Sequence, residues 1–144
     1  MVDQDAKRIA GWLAEAQRAV AFTGAGISTE SGIPDFRSPG GIWSRVQPVM
    51  FNDFMKSASA RLEYWRQKVA AHDDFAGAQP NAAHRILARW ENEGRLRCVI
   101  TQNIDGLHQL AGSRRVLELH GTARQASCLD CGKRFDADAL VEEF

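Results

Sequence analysis

GAGISTESGIPDFR, residues 24–37, follows directly on AVAFT, residues 19–23, and the junction between the two decides the fold. AVAFT is a short apolar run with strand character that stops at Gly24. The stretch after it has little that could build a core: two glycines around an alanine, small hydroxyl residues, then an acid, an aromatic and a base at 35–37. Gly24 and Gly26 remove side chains where backbone must approach a ligand, which leaves N–H groups available to phosphate oxygens. Without a ligand the same residues would make a tight strand-to-helix turn, and the glycines alone do not separate the two. Thr29 stands where a dinucleotide fingerprint would place its third glycine, and the Gly-Lys-Ser/Thr and G-x-S-x-G patterns are absent here.

Strands and helices alternate outward from this junction. Upstream, Ile9, Trp12, Leu13 and Ala16 fall on one face of a helix over about 5–17, with Asp3 or Asp5 available to cap it. Residues 32–50, rich in Gly, Pro and Ser, read as a long loop. Helices are expected at about 51–58 and 60–71, and a third from Pro80 whose buried face carries Ala83, Ile86, Leu87 and Trp90, with Gly94 as its stop. LRCVIT, 96–101, is a second strand, and VLELH, 116–120, a third, preceded by a short helix ending near Gly112. Such alternation predicts an α/β fold: a Rossmann-like parallel sheet with helices on both faces and ligands at the carboxyl ends of its strands.

The unusual chemistry lies at those ends. TQNIDGLH, 101–108, sets Gln102, Asn103 and Asp105 just after a strand that should be buried, either to orient a sugar or carboxamide or to form an Asx turn capping the next helix. His120 closes the third strand, a structural histidine or a general base. His84 and His108 read as buried, hydrogen-bonded structural residues, His72 as a surface one, Cys98 as core, and Asp35 as a loop-shaping residue. The tail opens with CLDCGKRF, in which Cys128 and Cys131 have the spacing of half a tetrahedral zinc site.

Taken in order, GAGISTESGIPDFRSPGGIW, QPNAAH, TQNIDGLHQLAG, LELHGT and CLDC resemble the sirtuins, the family of NAD-dependent protein deacylases, from about Trp12 to the last residue. The resemblance implies an NAD-dependent protein-lysine deacetylase or deacylase that transfers the acyl group to ADP-ribose and releases nicotinamide. Gly24, Ala25, Gly26 and Ser28 would form the pyrophosphate cradle, Phe36 would shield the nicotinamide ribose, and Arg37 would contact a phosphate or the acyl pocket. Gln102, Asn103 and Asp105 would hold the ribose and, with Ile104, the nicotinamide amide. His120 is implied as the catalytic base, with Asn103 beside it. A protein ADP-ribosyltransferase and a catalytically inactive sirtuin fragment are the alternatives.

Cys128 and Cys131 would then be the first pair of a zinc-ribbon module occupying 124–144, with 1–123 as the NAD-binding part. No cysteine follows Cys131 in this sequence, whereas the family carries a second pair downstream. The family also completes its sheet with a later, adenosine-binding segment, so the chain looks like the first half of a sirtuin. An unfinished sheet, or a zinc shared between two copies, would favour self-association. Sirtuins that prefer acidic acyl groups pair a tyrosine with an arginine three residues on; Tyr64 has Gln67 there, which does not support that preference.

Composition narrows the partners further. With 144 residues the chain has the length of one domain, and its net charge of zero gives no electrostatic reason to expect nucleic acid or an anionic membrane surface. An acyl-lysine protein or peptide is the implied partner. The N-terminus has neither the basic start nor the apolar run of an export signal, and three cysteines make an odd count, so a reducing, cytoplasmic setting is expected.

Overall fold

The structure, a computed structural model, describes residues 2–35, 38–39, 41, 44 and 46–144, without the side chains of 2, 73 and 74. Phe36 and Arg37 lie outside the described residues.

AVAFT and LRCVIT form the expected strands, β1 (Ala19–Thr23) and β2 (Leu96–Thr101). Together with β3 (Val116–Glu118) they make a three-stranded parallel sheet in the order β1-β2-β3. In the register, Ala21, Val99 and Val116 form one row, and Phe22, Ile100 and Leu117 the next. Because side chains alternate across a strand, these rows lie on opposite faces. Val99 is fully buried, while Phe22 and Leu117 remain 62% and 56% exposed.

Between β1 and β2 the chain runs through a 3-10 helix (Ala25–Ser31) and the helices α2 (Phe51–Lys56), α3 (Ala58–Ala76) and α4 (Ala82–Asn92). α4 packs on β2 and against the short α5 (Leu107–Leu110), on the Val99 side of the sheet. The sequence predicts helices over both faces. Among the described residues the Phe22 and Leu117 side is open, because α1 (Val2–Glu15) leaves its own Ile9 and Trp12 at least half exposed. Asp3 and Asp5 sit inside the first turn of α1 and pair with Lys7 and Arg8, so the expected capping role falls away.

The third strand is shorter than the sequence predicts. It ends at Glu118, and His120 stands in the turn that follows, where Gly121 adopts a φ of +74°. Residues 124–144 form an antiparallel hairpin of β4 (Gln125–Ser127) and β5 (Arg134–Asp136), then α6 (Ala137–Glu143), capped by Asp136 and packed on α3. The hairpin itself escapes the sequence reading, since three-residue strands carry almost no periodicity. No helix among the described residues is long and apolar enough to cross a membrane.

Candidate functional site

The carboxyl ends of β1 and β2 meet at a pair of threonines in register, Thr23 and Thr101, whose hydroxyls are 2.9 Å apart. From Thr101 the chain turns, and its Oγ1 accepts the Asn103 N–H at 3.0 Å. Asn103 and Asp105 are thereby turned inward, 5% and 4% exposed, beneath the 3-10 helix. Ser28, in that helix and 1% exposed, donates to Asp105 Oδ2 at 2.7 Å and accepts from Asn103 Nδ2 at 3.1 Å. Asp105 Oδ1 accepts the Leu107 N–H at 2.9 Å, the Asx turn that opens α5. Both Asp105 oxygens are thus engaged by protein donors. Asp105 thereby holds Ser28 and the start of α5 in fixed positions.

The glycine loop is fixed from a second side. Asn81 donates to Ile27 O at 2.7 Å through Nδ2, while its Oδ1 caps α4 by accepting the Ala83 and His84 N–H groups. Asn81 lies within QPNAAH, and an Asn immediately before an apolar-periodic run is the N-cap signal that could have given it this role. Gly24 and Gly26 leave open backbone: nothing lies within 4 Å of a Cβ built on Gly26, and only Gln102 Nε2, at 4.0 Å, approaches one on Gly24. Gln102 is exposed and joins the sheet through its N–H to Thr23 O.

His84 and His108 are buried as expected, their rings 4.8 Å apart. The Asn81 N–H donates to His84 Nδ1, which places the His84 proton on Nε2. Thr23 donates to Thr101, so His108 Nε2 is the donor to Thr23 Oγ1 at 2.9 Å and its Nδ1 is bare. Burial lowers the pKa of His84, and pushes His108 down to about 4 with the neighbouring His84 adding to the effect. Both rings are neutral at pH 7.

His120 differs from these two by being exposed. Its Nδ1 lies 3.0 Å from Gln102 O, an acceptor only, so in the neutral ring the proton resides on Nδ1 and Nε2 offers a lone pair. His120 and Ile104 line one cleft of about 540 Å³ with Phe51, Phe54, Tyr64 and Trp65. Ile104 also lines a second cavity of about 270 Å³ with Tyr64, Lys68, Phe75 and Arg124. Lys68 donates to Ala123 O there at 3.1 Å, and burial lowers its pKa against the opposing pull of Asp138. Gln67 spends its amide on Gln47 O and Glu63. His72, expected on the surface, pairs instead with Asp138 at 3.1 Å.

Cys128 and Cys131 share one turn of the β4–β5 hairpin, closed by Gly132 N–H to Cys128 O. The Cys131 backbone N–H, then that of Asp130, point at the Cys128 thiol and lower its pKa. Two thiols on one turn suit a thiophilic metal but are half of a tetrahedral set. Among the described residues no group of three or more His, Cys, Asp or Glu side chains could hold a metal ion.

Comparison with known proteins agrees with this architecture. The chain is 49% identical over 140 residues to an NAD-dependent protein deacetylase of Rhodopseudomonas palustris, covering 96% of this chain and 55% of that protein. It is 45% identical over 139 residues to the NAD-dependent protein deacylase Sirt4 of Drosophila melanogaster, covering 94% and 45%. A solved Sir2 complex with a p53 peptide and NAD+ superimposes with a TM-score of 0.82 at 39% identity, over 95% of this chain and 54% of that one. The chain thus spans about half the length of the curated relatives it matches. A sequence model of the Sir2 family matches residues 24–144, and the chain belongs to that family.

Proposed function

We propose that this chain supplies the nicotinamide-ribose and phosphate end of an NAD-dependent protein-lysine deacylase. The observation that carries the reading is the buried Ser28, Asn103 and Asp105 cluster under the glycine loop, together with His120, whose Nδ1 is held by Gln102 O in the Asn103 loop. When bound, NAD supplies a sugar carbon that becomes an acceptor for an acyl-lysine oxygen once nicotinamide departs.

The chain's own residues do the rest. Gly24, Ala25 and Gly26 present backbone to phosphate oxygens. Asn103, whose amide orientation is fixed by Ser28 and whose backbone is fixed by Thr101, would contact the sugar with the side-chain atoms left over. Gln102 and Ile104 flank it, and Phe51, Phe54, Tyr64 and Trp65 give the cleft that holds His120 an apolar wall. His120 Nε2 takes a proton from a sugar hydroxyl while Gln102 O holds its Nδ1–H. Cys128 and Cys131 would hold half of a structural zinc site.

The test is nicotinamide release from NAD with an acetyl-lysine peptide, compared between the wild type and His120→Ala. Release that requires the peptide and falls by about 100- to 10,000-fold in the variant supports the reading. Release that ignores the peptide, or survives the substitution, contradicts it. Mass spectrometry of the peptide separates deacylation from ADP-ribosyl transfer.

A further inference from the structure

Residues 123 and 124 are the crossing point between the loops at the end of the sheet and the β4–β5–α6 segment. Ala123 N–H donates to Ile104 O at 2.8 Å, Lys68 Nζ to Ala123 O at 3.1 Å, and Ala137 N–H, from the first turn of α6, to Arg124 O at 3.1 Å. The Arg124 side chain then reaches three separate elements. Its Nε donates to Asp105 O at 3.0 Å and its Nη2 to Phe75 O, near the end of α3, at 3.2 Å. Its Nη1 lies 4.0 Å from Asp138 Oδ2 in α6, and the other Asp138 oxygen meets His72. The stem crosses Gly106, which has a φ of +72°; a Cβ there would stand 3.4 Å from Arg124 Cγ.

A guanidinium is a rigid planar fork with five donors, so it can bind carbonyls on two elements and a carboxylate on a third at fixed relative positions. An ammonium on a flexible stem has no such geometry. Asp105 is the residue whose side chain fixes Ser28 and the start of α5, and Arg124 holds that same residue by its main-chain oxygen. Whatever moves α6 moves Asp138, and through Arg124 reaches the loop that orients Asn103.

We infer that Arg124 is a positioning residue that ties the β4–β5–α6 segment to the Asp105 loop, so that the state of the segment is read at the candidate cofactor site. Its meaning for catalysis rests on the deacylase reading of that site; its geometry does not.

The test is backbone amide exchange in the full 144-residue chain. The reporters are the Leu107 and Asn103 amides, bonded to Asp105 Oδ1 and Thr101 Oγ1, and the references are Val99 and Ile100 in the central strand. Arg124→Ala should speed exchange at Leu107 and Asn103 by about tenfold or more and leave the references within about twofold. Arg124→Gln, which keeps a donor and much of the stem, carries the same test if the alanine variant fails to fold. Asp138→Asn should speed the reporters several-fold in the wild-type background and add nothing in the Arg124→Gln background. Arg124→Lys should not restore the reporters.

Unchanged reporters, equal acceleration of reporters and references, or independent multiplication of the 124 and 138 effects would each overturn the inference. In parallel, NAD titration should show affinity weakening in step with reporter exchange. A wild-type chain that binds no NAD contradicts the deacylase reading, and the exchange pattern alone then decides the positioning role.

Discussion

At the carboxyl ends of β1 and β2, Ser28, Asn103 and Asp105 are at most 5% exposed, each bonded to another protein group. In the β4–β5 hairpin, by contrast, all three residues of β5 and Cys131 are exposed, and the donors to the Cys128 thiol belong to its own turn. Ser28 is bonded to Asp105 and Asn103 across 77 and 75 residues of sequence, whereas the turn that carries the thiols is closed by bonds that span four and five residues. Long-range bonds among buried polar groups are costly to break, because each break strands a desolvated partner. Short-range bonds at an exposed turn cost little. The difference teaches which chemistry this stretch of chain organises by itself.

That contrast can be broken most forcefully at Asp105. Asp105→Ala strands the Ser28 hydroxyl and the Leu107 amide and should cost about 3–4 kcal/mol, read as a lowered denaturation midpoint. A loss below about 1 kcal/mol would mean that the cluster is not a structural unit.

Next in size is an effect of acid. The folded-state pKa of His108, about 4, lies below its unfolded value near 6.5. Its stabilisation is therefore complete above about pH 6.5 and is lost as the pH falls toward 4, on the order of 3 kcal/mol. His84, whose shift has the same direction, steepens that loss, while Asp105 opposes it in both rings. Denaturant midpoints measured across pH 4–7 should fall on the acid side, and His108→Asn should flatten the curve.

Thr101→Val removes one acceptor from the Asn103 amide and one from Thr23, at about 1–2 kcal/mol. Cys131→Ser lies at the small end. In metal-free buffer it should shift the midpoint by no more than about 0.5 kcal/mol, because the thiol is exposed. A large loss there would erase the contrast.

Much of the fold is legible in sequence because it is written locally. AVAFT and LRCVIT match β1 and β2 residue for residue, since each apolar run is bounded by a turn signal. His84 and His108, read from sequence as buried structural residues on helices, are buried. Long-range pairings are not written this way. Nothing in TQNID says that Asp105 turns its carboxylate to Ser28, while the Asx turn that opens α5 is legible from the Asp-Gly pair. Arg124 is adjacent to no motif, and its contacts to Phe75, Asp105 and Asp138 arise only when three separate elements converge. The open Phe22 and Leu117 face also depends on tertiary placement, because apolar alternation predicts burial and not what supplies the cover.

Isothermal titration of NAD into the 144-residue chain, repeated with Asn103→Ala, tests the central claim most directly. The account predicts a dissociation constant at or below about 1 mM, near 4 kcal/mol of binding, weakened at least about tenfold by the substitution. No heat with the wild-type chain, or equal affinity in both proteins, would contradict it.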